Sequence, residues 1–142
     1  MFSKSCKYAI RSILFLAVYC SEEDRMGVDD LSEKLDVPKH FLAKILQQLT
    51  RHGLISSVKG RNGGFYLTDH NMNSNLLAVI ESIDGSRVFK ECVLGLPECS
   101  SVNPCPYHSA VKGYRDQFLL LVKEETIRQS AERIVLDNLK IR

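Results

Sequence analysis

The stretch PKHFLAKILQQLTRHGLISSVKGRNGGFYL, residues 38–67, decides the fold of this chain. Its first half places apolar side chains at helical spacing, starts with a proline and ends at Gly53, and both residue types suit helix ends. Its second half predicts two short strands, over residues 54–59 and 65–67, around a glycine-rich turn. The helix is predicted to span residues 38–52 and to bury Phe41, Leu42, Ile45, Leu46 and Leu49.

A shorter helix is predicted immediately before this stretch, over residues 30–35. Asp30 is a suitable N-cap, and Glu33 follows it at the spacing of a capping box. Residues 36–38, Asp-Val-Pro, then break the helix. Two helices joined by a short turn and followed by a hairpin form a winged helix-turn-helix. In this arrangement the second helix and the hairpin, called the wing, contact nucleic acid.

The net charge of the chain is only +2, but its basic residues are unevenly distributed. Residues 38–68 contain five basic side chains and no acidic one. A local basic stripe on a near-neutral protein is typical of a surface that contacts phosphate groups, although a solvated helix face produces the same pattern. The residues predicted to bind DNA are Lys39, His40, Lys44, Gln47 and Arg51 on the helix, and Lys59, Arg61, Asn62 and Gly63 on the wing.

The remaining sequence predicts four more helices, over residues 5–20, 75–83, 109–125 and 128–142. The apolar stripe of the helix at 109–125 is broader than one small domain covers, which predicts a dimer contact there. We expect the tail at 128–142 to pack on the partner chain. The prediction is a mainly α protein with a small β-hairpin wing. It comprises a winged helix-turn-helix domain at 1–86, a cysteine-rich loop at 87–108, and a dimerisation helix with a helical tail at 109–142.

Three cysteines and a histidine lie close together in the cysteine-rich loop, in the pattern C-x6-C-x5-C-x2-H. Thiolates and neutral imidazole are ligands of iron–sulfur clusters and of zinc. Typical zinc sites have closer cysteine pairs than this loop has, which favours an iron–sulfur cluster. A DNA-binding domain directly upstream indicates that the centre is sensed and is not used in catalysis. The candidate ligands are Cys92, Cys99, Cys105 and His108.

Three other interpretations of the loop remain open. In the first, the cysteines are free thiols that hold no cofactor and act as redox groups. In the second, they bind a structural zinc ion. In the third interpretation the cysteines bind the cluster with a fourth ligand from elsewhere, and His108 only begins a helix. Cys6 and Cys20 lie in a helical apolar pattern and are predicted to be small core residues.

Several functional classes are disfavoured by the sequence. No apolar run approaches the roughly 20 residues needed to cross a bilayer, so we expect a cytoplasmic protein without a membrane partner. No Ser-His-Asp or nucleotide-binding pattern is present in the sequence, and we expect no enzymatic activity.

The chain resembles the Rrf-family winged-helix regulators of bacteria, the group that includes IscR, NsrR and CymR. The resemblance begins with the opening Ser3-Lys4-x-x-x-Tyr8-Ala9-Ile10-Arg11 and continues with the predicted second helix of the helix-turn-helix running into Gly53-Leu54-Ile55. It includes the wing KGRNGGFxL at 59–67, the short helix at 77–85 and the three-cysteine loop. The match therefore covers nearly the whole chain.

Membership of this family implies a homodimeric transcription regulator that binds a roughly palindromic double-stranded DNA operator. Its DNA affinity would respond to iron–sulfur, redox or nitric-oxide status. By position, Cys92, Cys99 and Cys105 match the cluster cysteines, and His108 matches the histidine of IscR-like members. A cofactor-free thiol-redox regulator, or a constitutive one, is the alternative.

Three features of the chain refine this resemblance. The family's nitric-oxide sensors use an acidic ligand from the partner's first helix, but this chain has Cys-Lys-Tyr at residues 6–8, which favours a self-contained [2Fe–2S] cluster. The first cysteine interval is one residue longer than is usual in the family. Ala43 occupies the position where IscR-like members carry a base-reading glutamate, so we expect a different operator. Exposed clusters are readily lost, so protein purified in air is expected to lack the cluster.

Overall fold

Helices make up most of the chain, and one short β-hairpin follows the third of them. The computed structural model describes residues 1–142. It confirms the predicted mainly α architecture with a two-stranded wing. None of the helices is both long enough and apolar enough to span a membrane. In chain order the elements are α1 (Lys4–Tyr19), α2 (Val28–Leu35), α3 (Lys39–Arg51), β1 (Ser56–Val58), β2 (Gly64–Tyr66), α4 (Asp69–Met72), α5 (Leu76–Asp84), a 3₁₀ turn (Ser86–Phe89), α6 (His108–Glu124) and α7 (Ile127–Leu136).

The main core lies where α1 packs against α3, α5 and α7. Helix α1 buries Ala9, Ile13 and Leu16 completely, at the spacing of one helical face. Helix α3 contributes a matching buried face, which includes Leu42 and Leu46. A second, smaller core joins α5 and the 3₁₀ turn to α6, and it consists of Cys6, Ile80, Val88, Phe89 and Val122.

Helix α2 begins two residues earlier than its sequence suggests. Its N-cap is Gly27, no side chain caps it, and Asp30 is exposed within its first turn, so the predicted capping box is wrong. The reason is a tertiary contact. The backbone of Met26 pairs with Phe65 of β2 through two hydrogen bonds, which keeps the chain extended up to Gly27. The helix starts immediately afterwards.

Phe41 is the other error in the predicted helix-turn-helix. It is 50% exposed and stacks on the neighbouring His40 ring, with 4.4 Å between ring centroids. The face that α3 buries passes through Leu42, Ile45, Leu46 and Leu49, and Phe41 lies outside it. An apolar residue beside a buried face therefore remains in contact with solvent, next to the residues predicted to bind DNA.

The two strands of the wing are antiparallel and only three residues long. The predicted first strand at 54–59 is shorter because Leu54 and Ile55 are buried in the main core before the strand begins. Gly64 has φ of 153°, and a Cβ there would collide with the backbone of Met26. The glycine is therefore required for the close approach of the wing to the segment before α2.

Asn71 holds the base of the wing, and its replacement tests that role. Its Oδ1 accepts hydrogen bonds from Thr68 and from the Ser56 hydroxyl (2.8 Å), and its Nδ2 donates to the Gly53 carbonyl (2.8 Å). Because Asn71 is only 3% exposed, Asn71→Ala strands these buried groups. We expect the free energy of unfolding to fall by about 1–3 kcal/mol in urea denaturation. Asn73→Ala is the control, because Asn73 is exposed and its side chain has no hydrogen-bond partner. An equal loss of unfolding free energy in Asn73→Ala would contradict the role of Asn71 at the base of the wing.

The C-terminal helix packs on its own chain. Ile127 and Ala131 of α7 are buried against α1, and the Arg11 Nε donates to the carbonyl of Ile141 at 3.1 Å. The predicted helix over 128–142 is too long, because α7 ends at Leu136. The expected contact of this segment with a partner chain stays a prediction. Ile127 belongs to the main core, whereas Val135 and Leu136 at the end of α7 are 65% and 85% exposed.

Candidate nucleic-acid interface and cysteine loop

The residues predicted to bind DNA lie on one exposed side of the molecule formed by α3 and the wing. Lys39, His40, Lys44, Gln47 and Arg51 are all exposed on α3, and Lys59, Arg61 and Asn62 are exposed on the wing. Lys39 forms a 2.5 Å salt bridge with Asp29 in the first turn of α2. One of the cations therefore has a carboxylate partner beside this surface.

A cleft of about 740 Å³ separates α3 from the wing. Its α3 wall carries Gln47 and Arg51, and its wing wall carries Lys59 and Arg61. Three cations and one carboxylate, Asp29, therefore line one concave surface, and the excess of positive charge is what phosphate contact requires. His40, Lys44 and Asn62 lie outside the cleft but on the same two elements.

Gly63 has a structural role within the wing turn. Its N–H donates to the Gly60 carbonyl at 3.0 Å, and a Cβ at Gly63 would collide with the carbonyl oxygen of Val58. The hairpin itself thus accounts for the glycine, whether or not nucleic acid approaches it.

Arg25 is a cation near the wing that the sequence did not indicate. Its Nη1 donates to the Asn62 carbonyl at 3.3 Å, and its guanidinium lies 5.8 Å from the centre of the Tyr66 ring. In the sequence Arg25 follows an acidic segment, and only the pairing of Met26 with Phe65 brings it to the hairpin. No local pattern carries that signal.

The cysteine loop brings two of its four candidate ligands, Cys99 and His108, into direct contact. Cys99 Sγ lies 3.3 Å from Nδ1 of His108, the first residue of α6. The Cys105 thiol is near enough to Cys92 to help lower the pKa of the Cys92 thiol. Cys92 and His108 are 8% and 7% exposed, so two of the four candidate ligands are buried. No three histidine, cysteine or acidic side chains converge as they would around a single metal ion.

The environment of Cys92 stabilises its thiolate form. The backbone N–H groups of Leu94 and Leu96 lower the pKa of the Cys92 thiol below its ordinary value, and the Cys105 thiol and the Arg115 charge add to this effect. Partial burial opposes the shift. The thiolate is the form of cysteine that binds metals and acts as a nucleophile.

The other two cysteines lie outside the loop, and the pKa values of their thiols are raised. Burial, reinforced by the nearby Asp84 carboxylate, raises the pKa of the Cys6 thiol to about 12. Burial and the nearby Asp24 raise the pKa of Cys20 to about 11. Cys6 is a buried core residue as predicted, whereas Cys20 is only half-buried at the end of α1. Neither lies in the cysteine loop.

Two further side chains fix the cysteine loop, and the sequence indicated neither of them. Ser101 Oγ lies 3.0 Å from Nε2 of His108, so both ring nitrogens of the histidine have partners. Arg115 of α6 is 7% exposed and donates to the Glu91 carbonyl (2.6 Å) and to Cys99 Sγ (3.5 Å). It follows His108 by seven residues, two turns along the same helix face.

Sequence comparison assigns this chain to a known family. The Rrf2 profile, described as iron-dependent transcriptional regulator, matches residues 2–133. The chain belongs to the Rrf2 family. This Rrf2 protein is 27% identical over 127 residues to the regulator NsrR of Geobacillus kaustophilus, covering 89% of this chain and 86% of that protein. It is 28% identical over 134 residues to the regulator IscR of Photorhabdus laumondii, covering 92% and 79% of the two chains.

Solved structures share the fold of this Rrf2 protein. The structure of CymR, titled the global cysteine regulator of B. subtilis, superposes with a TM-score of 0.73 at 17% identity, covering 93% of this chain and 96% of that chain. The structure of T. potens IscR gives a TM-score of 0.71 at 15% identity, covering 99% and 92%. The Rrf2 protein is thus a winged-helix transcriptional regulator, and its named relatives are regulators and not enzymes.

Proposed function

We propose that this Rrf2 protein binds double-stranded DNA as a homodimer and that a [2Fe–2S] cluster in the cysteine loop controls its affinity. The ligands would be Cys92, Cys99, Cys105 and His108. The observation that carries the proposal is the contact of Cys99 with His108, in the same loop as the buried Cys92, whose pKa the nearby Cys105 thiol helps to lower. A two-iron cluster takes two protein ligands on each iron, and imidazole can replace thiolate. A single zinc ion instead needs four ligands around one point.

The donor chemistry of the loop fits such a cluster. Three thiols and an imidazole are available, the pKa of Cys92 is lowered, and a buried arginine supplies positive charge. When bound, the cluster would supply a centre that changes on oxidation, reduction or loss. The chain's own residues would hold it, with Ser101 fixing the His108 ring and Arg115 contacting Cys99.

A chain of contacts connects the loop with the DNA-binding helix. The loop follows the 3₁₀ turn, whose Val88 and Phe89 are buried between α5 and α6. At the last turns of α5, the Ser82 carbonyl accepts a hydrogen bond from Gln48 Nε2 of α3 (2.6 Å). The Ser82 hydroxyl lies 2.5 Å from His52 Nδ1, at the end of α3. A change in the loop would therefore reach α3 through packed, hydrogen-bonded elements.

The outer face of α6 supports the homodimer. Tyr114, Leu120 and Leu121 are between 49% and 60% exposed, although α6 also buries Val122 against its own chain. Large apolar side chains along one exposed helix typically mark a protein contact. A second copy of this helix is the occupant that a palindromic DNA site would require, since a two-fold dimer places two recognition helices symmetrically.

The proposal is tested on protein purified without oxygen. We expect visible charge-transfer absorption, with iron and sulfide in equal amounts. Removal of the iron by a chelator should change the affinity for a duplex selected by the protein from a random-sequence library, by about 5–150-fold. Affinity that is identical in the two forms would reject cluster control but leave DNA binding intact. Protein without iron or sulfide would reject the cluster itself.

A cofactor-free thiol switch is the second candidate, and the lowered pKa of the Cys92 thiol, to which the nearby Cys105 contributes, favours it. A hydroperoxide would oxidise the two thiols to a disulfide, which releases two protons and two electrons and reduces the peroxide to alcohol and water. In that case the purified protein would be colourless. Treatment with the peroxide would remove two titratable thiols and change DNA affinity.

A further inference from the structure

Arg115 is a buried cation without a carboxylate partner. The side chain is 7% exposed, it belongs to none of the four salt bridges of the chain, and its Nε has no hydrogen-bond partner. The adjacent carboxylate, Asp116, is exposed and pairs with Lys112 at 2.5 Å. Burying an unpaired charge is costly, so buried arginines are normally matched by an anion.

Sulfur surrounds this arginine more closely than any carboxylate does. One Nη donates to Cys99 Sγ at 3.5 Å, the other donates to the Glu91 carbonyl, and the charge also acts on Cys92. In the protein chain alone these partners are neutral when the thiols are protonated. The charge of Arg115 also acts on the exposed Asp116 carboxylate, but the only side chain to which Arg115 donates a hydrogen bond is Cys99. Inside the loop its charge is therefore matched when the cysteines are ligands of an anionic centre.

We propose that Arg115 is the counter-ion of an anionic, cysteine-ligated metal centre in the loop. This inference rests on the proposed function and adds the residue that balances the charge of the centre. Three thiolates and a neutral imidazole around a [2Fe–2S]²⁺ core give a net charge of −1. One-electron reduction to the [2Fe–2S]⁺ core gives −2, and the positive charge of Arg115 favours that more negative state. Arg115 thus raises the reduction potential of the centre.

A purely structural role makes a different prediction. The guanidinium also ties the start of the loop to α6 through the Glu91 carbonyl, and that contact depends on hydrogen bonding and not on net charge. Arg115→Lys keeps the charge but loses the forked donor geometry, whereas Arg115→Gln keeps an N–H donor but loses the charge. The two variants therefore separate the electrostatic role from the structural one.

The experiment is a potentiometric titration of each anaerobically purified protein with dithionite and mediators, followed by visible absorption. We expect a more negative midpoint potential in Arg115→Gln and a potential near that of the wild type in Arg115→Lys. Lys123→Gln is the matched control, because it removes an exposed cation without a salt-bridge partner from the same helix and should leave the potential unchanged. Circular dichroism verifies that each variant is folded.

Each other outcome has a defined meaning. A wild-type potential in iron-replete Arg115→Gln overturns the counter-ion role while the proposed function stands. Absence of iron from the wild type overturns both. If Arg115→Gln loses its iron, its potential cannot be measured, and Arg115→Lys becomes the deciding variant. An Arg115→Lys protein that retains iron and has the wild-type potential supports the counter-ion role. Loss of iron from both variants shows that the forked geometry is required and overturns that role.

Discussion

Replacing Lys59 and Arg61 together with alanine is expected to weaken binding to every double-stranded DNA sequence by about tenfold or more at moderate salt. Both side chains are exposed on the wing wall of the cleft that faces Arg51 of α3. In this position we expect the two cations to contact the phosphate backbone, which is the same in all sequences. Each lost phosphate contact should reduce the slope of log affinity against log salt concentration by about 0.9. Loss of both cations should therefore flatten the slope by about 1.8 for each winged helix.

The measurement is fluorescence anisotropy with a labelled duplex of random sequence, at several salt concentrations. Lys140→Ala with Arg142→Ala is the matched control, because it removes the same charge from an exposed part of the C-terminal tail. An equal loss in this control would mean that net charge and not the wing governs binding. An unchanged salt slope in the wing variant would remove Lys59 and Arg61 from the phosphate contacts.

The sequence predicted the helix-turn-helix and the wing because local rules determine them. The buried face of α3 repeats with helical period, and the turn at 60–64 is rich in glycine. The errors have a tertiary origin. Gly27 caps α2 because Met26 pairs with Phe65, a residue far along the chain, and no local pattern encodes that pairing. Phe41 has the right polarity for the core, but it lies outside the face that α3 buries.

The candidate metal ligands were predictable by residue type and the rest of their site was not. Three cysteines and a histidine within one loop are a strong chemical signal, but the contact of Cys99 with His108 depends on the loop's conformation. Arg115 carries no signal at all in the sequence, since an arginine on a mixed helix is ordinarily exposed. Its burial follows from the packing of the loop against α6, where Glu91 and Cys99 surround it.

Replacing Cys99 with alanine is expected to abolish the visible absorption and the bound iron of anaerobically purified protein, while the winged helix remains folded. Cys99 faces His108 Nδ1 and accepts from Arg115, so its loss removes one ligand and leaves the arginine without its sulfur partner. Cys92→Ala and Cys105→Ala should have the same effect, because each removes one of the other two proposed thiolate ligands. Cys20→Ala is the matched control, since that half-buried thiol lies outside the loop at the end of α1.

Substitutions of His108 test whether this residue is a cluster ligand or only the first residue of α6. If His108 binds the cluster through Nδ1, His108→Ala should lose or alter the absorption bands, whereas His108→Cys should retain iron with a shifted spectrum, because thiolate is the commoner ligand. If His108 only begins α6, both variants should keep the wild-type spectrum. Iron content measured for each protein, with circular dichroism as the check of folding, distinguishes these cases. Wild-type colour and iron in Cys99→Ala would mean that the cluster is bound by a different set of residues.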